Sequence, residues 1–421
     1  MKLRNGWQVC VLSSVFLLAM LFGSAAVLKA EEEEVDDPNH QEADSFPVTS
    51  KEAKEGIPDA KGVFKEPLEV GEFKIQFGGF AKVDVMYDFD PIGNEDQFKV
   101  NTIPVEGDPN SLLGSSSNVS ARQTRLSVDI RNETSVGLIR GYVEGDFFGD
   151  GSSFRLRHGY GEWHGVLGGQ TWTTFQDISA RPFTLDYEGP DSAIFVRQAQ
   201  VRYTGTPWEQ VALAIAIEDP DSEISEPAGV SGVGRSQMPD IAAHGRIEKN
   251  WGHVQISGIM RQLRFVSDDG SGIDDSAIGY GLNFSGKLNV AKRDAVLGHI
   301  GFGTGIGRYI ESFGGTNSDA VLTPTGEVKT IDAWAAVLGY THHWSNLFTS
   351  TISGGYAGLD NEPSQPSDAI KSARSFHANL VYSPHRLISI GGEVMWGQRR
   401  DKNGAKGDAT RLQFSVQYKF K

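Results

Sequence analysis

The chain has 421 residues, 50 glycines, one cysteine and a formal charge of −15 at pH 7. That charge argues against a general nucleic-acid binder, whose surface would be basic. Mean hydropathy is −0.31, and after residue 30 no apolar run is long enough for a helix to cross a membrane.

Residues 1–30 read as an export signal. Lys2 and Arg4 give the positive start and "VCVLSSVFLLAMLFG" the apolar stretch; Ser24, Ala25, Ala26 and Ala30 are the small residues at which cleavage is expected. A single N-terminal membrane anchor is the alternative. Cys10 lies in this segment, so the exported chain is expected to hold no disulfide. Residues 31–70 begin "EEEEVDD" and carry 13 acidic against 4 basic residues, with Pro38, Pro47, Pro58 and Pro67 spaced along them. So few apolar groups cannot offset the entropy of ordering, and the stretch reads as an acidic disordered linker, or alternatively as an extended interaction arm.

From residue 71 to residue 421 the pattern changes to alternation. "VALAIAI" sets Val211, Leu213, Ile215 and Ile217 opposite alanines. "IGYGLNFSGK" sets Ile278, Tyr280, Leu282 and Phe284 opposite Gly279, Gly281, Asn283, Ser285 and Lys287. "HIGFGTGIG" sets Ile300, Phe302 and Ile306 opposite glycines. At the end, Leu412, Phe414, Val416, Tyr418 and Phe420 face one way and Arg411, Gln413, Ser415, Gln417 and Lys419 the other. Period two is the signature of a half-wetted strand. About sixteen such segments are predicted, near 73–90, 121–132, 136–146, 154–163, 166–175, 194–204, 209–218, 241–249, 251–264, 277–288, 297–310, 328–343, 347–358, 373–383, 387–400 and 409–420.

The connections alternate as well. Those over 91–120, 176–193, 220–240 and 311–327 are long, while those at 133–135, 164–165, 205–208, 249–250 and 344–346 are short; the turn near 289–296 is an exception, longer than the other short ones. A soluble sandwich has no reason to alternate in this way, whereas a transmembrane barrel does, with short periplasmic turns and long extracellular loops. The expected fold is therefore all-β: a closed antiparallel barrel in the outer membrane of a bacterium, its apolar rows on lipid and its polar rows on a water-filled pore.

By parity the inward rows are rich in arginine. Arg125, Asp129 and Arg131 face inward from "TRLSVDIR", and Arg155 and Arg157 from "FRLRHGYG". Arg202 follows with Gln198 and Gln200, then Arg246 with His244 and Glu248, and Arg261 with Gln255. Arg140, Tyr142 and Glu144 share a face. Guanidinium groups confined in a pore raise the local anion concentration and offer forked donors to carboxylate or phosphate. The bland alternative is that each pairs with a carboxylate on a neighbouring strand. Residues 71–421 carry a charge of −9, which is −15 less +3 for residues 1–30 and −9 for residues 31–70, so any anion preference must come from the local field. Arg155 and Arg157, two residues apart and about 7 Å along the strand, could hold both carboxylates of a short diacid with Arg125 or Arg202, and both are expected to face water. The same parity sends Tyr160 and His158 outward; for a histidine that is a poor choice against lipid, unless a subunit or a β-bulge lies there.

No catalytic residues are proposed. His342 and His343 are adjacent and point to opposite faces, the stretch 301–307 lacks the end of a phosphate loop, and neither zinc spacing nor a nucleophile elbow occurs. No cofactor and no metal are expected.

"FRLRHGYGEW" followed by "GQTWTTFQDISARPFTLDYEGPDS" resembles the DcaP-like trimeric porins and, more distantly, the phosphate-selective porins. So do "FGGFAKVDVMYDFDPIG", "ARQTRL", "RQAQVRYT" and the last stretch from "HANLVYSPHR" to "LQFSVQYKF". The resemblance implies a homotrimer of sixteen-stranded barrels in membrane lipid, passing small anionic solutes such as dicarboxylates. It also implies that the loop 176–193 folds into the barrel as a constriction carrying Arg181, Asp186, Glu188 and Asp191. The expected function is passive, non-enzymatic diffusion of small hydrophilic, preferentially anionic solutes. The alternatives are a phosphate-type channel and a non-conducting barrel that binds a partner through "EEEEVDD".

Overall fold

A computed structural model describes residues 67–291 and 293–420; the predicted signal and all but the last residues of the predicted linker lie outside them. Sixteen strands span the membrane. They are β1 (Phe73–Asp88), β2 (Arg125–Thr134), β3 (Gly137–Asp146), β4 (Arg155–Trp163), β5 (Val166–Trp172), β6 (Arg197–Trp208), β7 (Val211–Glu218) and β8 (Asp240–Lys249). They continue with β9 (Gly252–Ser267), β10 (Asp274–Asn289), β11 (Ala295–Thr304), β12 (Asp332–His343), β13 (Phe348–Asp360), β14 (Ile370–His385), β15 (Ile388–Asp401) and β16 (Lys406–Lys419). Each pairs antiparallel with its neighbours. The sheet closes where β1 meets β16, from Phe80 opposite Lys419 to Asp88 opposite Arg411. Closure leaves no edge, so each spanning strand has a hydrogen-bonding neighbour on both sides.

The alternation of the sequence becomes two surfaces. On β16 Phe414, Val416 and Tyr418 are exposed while Arg411, Gln413 and Ser415 are buried. On β7 Leu213, Ile215 and Ile217 point out and Ala214 and Ala216 point in. The apolar exterior is the lipid face, and the polar residues make up much of the interior. Two parities differ from expectation. Between Glu144 and Gly145 the register of β3 against β4 shifts. Arg157 and His158 are consequently both buried, and Tyr160 turns inward onto Tyr142, with ring centroids 5.6 Å apart. This is the bulge considered for His158, and it overturns the outward placing of Tyr160. β11 also stops at Thr304, so Ile306 turns into the lumen and is fully buried rather than facing lipid.

At the periplasmic end Leu68–Val70 pairs with Phe73–Ile75. The ordered domain therefore starts before residue 71, inside the stretch assigned to the linker. Just before β11, Asp294 accepts the His343 backbone amide at 3.0 Å, the Tyr340 hydroxyl at 2.7 Å and His342 Nδ1 at 2.7 Å. The amide foremost, then the tyrosine and histidine, hold its carboxyl down to about 2.

Four long loops fold back into the barrel. Phe98, Val100 and Ile103 of the first loop pack on Ala373, Met395 and Ala409. Phe175 and Ile194 of the third loop join Ile306, Tyr309, Ile310 and Phe313 against Ala333, Ala335 and Ala357. The loops 219–239 and 305–331 share a small sheet of Ile224–Ser225, Ala320–Leu322 and Val328–Thr330. The wall under these loops is built of small residues for a steric reason. A Cβ on Gly301 would lie 2.4 Å from Ile194, one on Gly339 2.5 Å from Pro182, and one on Gly391 2.9 Å from Leu185.

Candidate functional site

The third loop runs from the end of β5 to the start of β6 and is fastened to the wall on two sides. On one side Asp177 takes Arg246 at 3.2 Å, His253 at 2.8 Å and Ser285 at 2.9 Å, and Gln255 and Asn283 donate to the carbonyls of Gln176 and Phe175. On the other side the Glu393 carboxylate accepts the Leu185 amide, Gln413 donates to the Leu185 carbonyl at 3.1 Å, and Asn379 donates to the Phe183 carbonyl at 3.1 Å. Loop backbone that cannot pair in a sheet is thus satisfied by polar side chains of the barrel interior.

The four predicted constriction residues all lie on this loop, and they mostly hold it together. Arg181 donates to the carbonyls of Glu188 and Gly189, stacks on Phe195 with its guanidinium 3.8 Å from the ring centre, and lies 3.6 Å from Glu311. Asp186 accepts the amides of Phe98 and Glu188. Glu188 pairs with Lys99 of the first loop at 2.5 Å, and Asp191 accepts the Val100 amide at 3.0 Å. Asp186, Glu188 and Asp191 are all buried.

The predicted pore arginines separate into groups. Arg125, Arg155 and Arg157 come together on β2 and β4, in a chain of alternating charge. Arg125 lies 3.8 Å from Glu144, Glu144 2.7 Å from Arg157, Arg157 3.0 Å from Asp146, and Asp146 2.9 Å from Arg155. Arg155 is over a third exposed, but Arg157 is only 2% exposed, so the expectation that both face water is corrected for Arg157. Its guanidinium is taken inside by the carboxylates on either side. Arg246 grips the third loop through Asp177, and Arg261 is fully buried between Asp240 at 2.9 Å and Asp319 at 3.0 Å, where it anchors the loop 305–331. Arg202 sits lower on β6, opposite Leu167 and Ala216. The same strand supplies Arg197 instead, near its top.

Two residues that sequence reasoning passed over complete the cluster. Arg155 and Arg197 each donate to the Tyr187 hydroxyl at 3.0 Å, and Arg157 donates to the same oxygen. Arg197 also stacks on Trp172 at 4.7 Å. Tyr187 lies within the predicted constriction loop, and Arg197 stands beside the quoted Gln198, but neither has a spacing that ties one to the other. Lower on the same wall Asp129 bridges Arg131 and Arg140, each at 3.0 Å, and Glu162 lies 3.8 Å from Arg140.

The folding of the chain is shared with known outer-membrane channels. The crystal structure of the outer membrane channel DcaP of Acinetobacter baumannii superposes with a TM-score of 0.75 at 20% identity, covering 84% of this chain and 100% of that one. OmpT of Vibrio cholerae superposes at 0.54 with 11% identity, covering 84% and 100%. An anion-selective porin from Comamonas acidovorans gives 0.52 with 10% identity, covering 83% and 100%. No curated protein sequence matches the chain. Residues 57–420 match the DcaP outer membrane protein family, and with the closed sixteen-stranded barrel this makes the chain a member of that family and a porin channel of the bacterial outer membrane.

Proposed function

We propose that the channel passes small hydrophilic anions in preference to cations, short dicarboxylates among them, by passive diffusion and without catalysis. One observation carries this reading: the two halves of the inner wall differ. The loops lie mainly on the wall from β8 to β16, where Ala242, Ala333, Ala335, Ala357, Ala373 and Ala409 are buried. The inner faces of β2–β4 and β6 instead hold Arg125, Arg131, Arg140, Arg155, Arg157, Arg197 and Arg202, set against the carboxylates Asp129, Glu144, Asp146 and Glu162. Seven cations against four anions leave an excess of +3 on that wall, and Arg125, Arg131 and Arg155 are partly exposed. In a narrow aqueous path such a local field outweighs the charge of the whole chain. As in the resemblance, we read the assembly as a homotrimer.

The test is the reversal potential of the purified channel in a planar bilayer across a potassium chloride gradient. A potential of the sign set by chloride is expected, and Arg155→Ala should move it toward zero. A cation-selective wild type would refute the proposal, and the absence of any current would favour the non-conducting barrel.

A further inference from the structure

Tyr187 stands where three guanidinium groups converge. A phenol oxygen has two lone pairs and no charge, yet Arg155, Arg157 and Arg197 all donate to it. Around it four arginines, with Arg125 3.8 Å from Glu144, face two carboxylates, Glu144 and Asp146. The neutral phenol cancels none of that excess. Nη1 of Arg197 and Nε of Arg125 are buried and meet no hydrogen-bond acceptor among the described residues, which is costly for a charged donor. A carboxylate oxygen would carry the missing charge and accept these bonds more strongly.

The loop backbone beside Tyr187 is held by contacts that do not involve its ring, which is itself buried. The backbone before Tyr187 is held through Leu185 by Glu393 and Gln413, and Asp186 is tied to the amides of Phe98 and Glu188. The Tyr187 ring itself rests on Phe148, with centroids 4.5 Å apart, and on guanidinium planes. The partly exposed Arg155 opens the cluster to the lumen.

We propose that the Tyr187 hydroxyl is an internal competitor, occupying the position that a carboxylate oxygen of a passing solute takes, so that a solute binds by displacing the phenol from Arg155, Arg157 and Arg197. This rests on the anion-channel reading above. The fraction of time the phenol stands aside scales the affinity of the site, which keeps binding weak and release fast, as a diffusion channel requires. The hydroxyl also keeps the arginines in place when no solute is present.

Tyr187→Phe removes the competing oxygen and keeps the ring. Block of the chloride current by succinate, with the uncharged diamide of the same length as control, reads the site in planar bilayers. The half-blocking succinate concentration is expected to fall about tenfold in Tyr187→Phe, as the loss of a charge-assisted hydrogen bond implies, while the diamide blocks neither channel. Phe148→Ala, which loosens the same ring and spares the hydroxyl, should shift it in the same direction; it serves as the second variant should the first fail to form a heat-modifiable barrel. An unchanged or higher half-blocking concentration in a folded variant, with the wild type blocked by succinate, overturns this inference and leaves the anion channel standing. A wild type without chloride preference or succinate block overturns both.

Discussion

Arg155 and Arg157 are two residues apart on one strand, yet their surroundings assign them different work. Removing Arg155 leaves Asp146 its bond to Arg157, and the lost pair is partly in water. Arg155→Ala is therefore expected to cost about 1 kcal/mol or less, while chloride preference falls. Arg157 is enclosed, and its removal strips a close partner from both Glu144 and Asp146. Arg157→Ala should cost about 3–5 kcal/mol in urea unfolding from lipid vesicles; equal costs for the two variants would show that their burial does not matter. Asp294 gives a pH-dependent case at the periplasmic rim. Its folded-state pKa is lowered to about 2, foremost by the His343 amide. Its contribution is thus present above the unfolded value of about 4 and lost as pH falls through 2. Asp294→Asn should cost about 1 kcal/mol at pH 7, reduced by water at this site. The difference from wild type should close on acidification, and a gap independent of pH would contradict the assignment.

Among elements, the third loop and the wall beneath it form a matched pair. The wall glycines are not turn residues: Gly301, Gly339 and Gly391 are gaps that receive Ile194, Pro182 and Leu185. Gly339→Val would force its branched side chain into Pro182, which a Cβ alone already meets at 2.5 Å. The expected cost is about 1–3 kcal/mol of overpacking, together with a changed single-channel conductance, because the loop must move toward the arginine wall. Unchanged conductance in a folded Gly339→Val channel would mean that the loop does not set the width of the path. The alternation of glycine with apolar residues in "IGYGLNF" and "HIGFGTGIG" was visible in the sequence. Its purpose was not, because nothing in a strand records which loop will lie across it.

For the whole molecule, the order of short turns and long loops fixes the topology. The loop 219–239 carries exposed residues on either side of Val233, including Arg235, while Lys249 ends β8 next to a short turn. Trypsin added to intact cells is expected to cut after Arg235. Cleavage after Lys249 instead, with the outer membrane intact, would invert the orientation of the barrel in the membrane.

The sequence by itself determined the barrel, the number of spanning strands, which rows meet lipid and which connections are long. These are local properties: a residue's side of a strand depends on parity, and a turn on its own few residues. Where that local rule failed, at His158, Tyr160 and Ile306, one bulge or an early strand end had shifted the parity, and neither leaves a mark in composition. The tertiary structure alone decided which arginines share a site. Arg125, Arg155, Arg157 and Arg197 meet because β2, β4 and β6 curve around one side of the lumen, with Tyr187 brought to them by a loop fastened elsewhere. Arg261, identical in type and parity, was drawn instead into Asp240 and Asp319 by a different loop. A guanidinium's role is set by the carboxylates within a few ångströms, and which ones those are depends on how neighbouring strands and inward-folded loops come together.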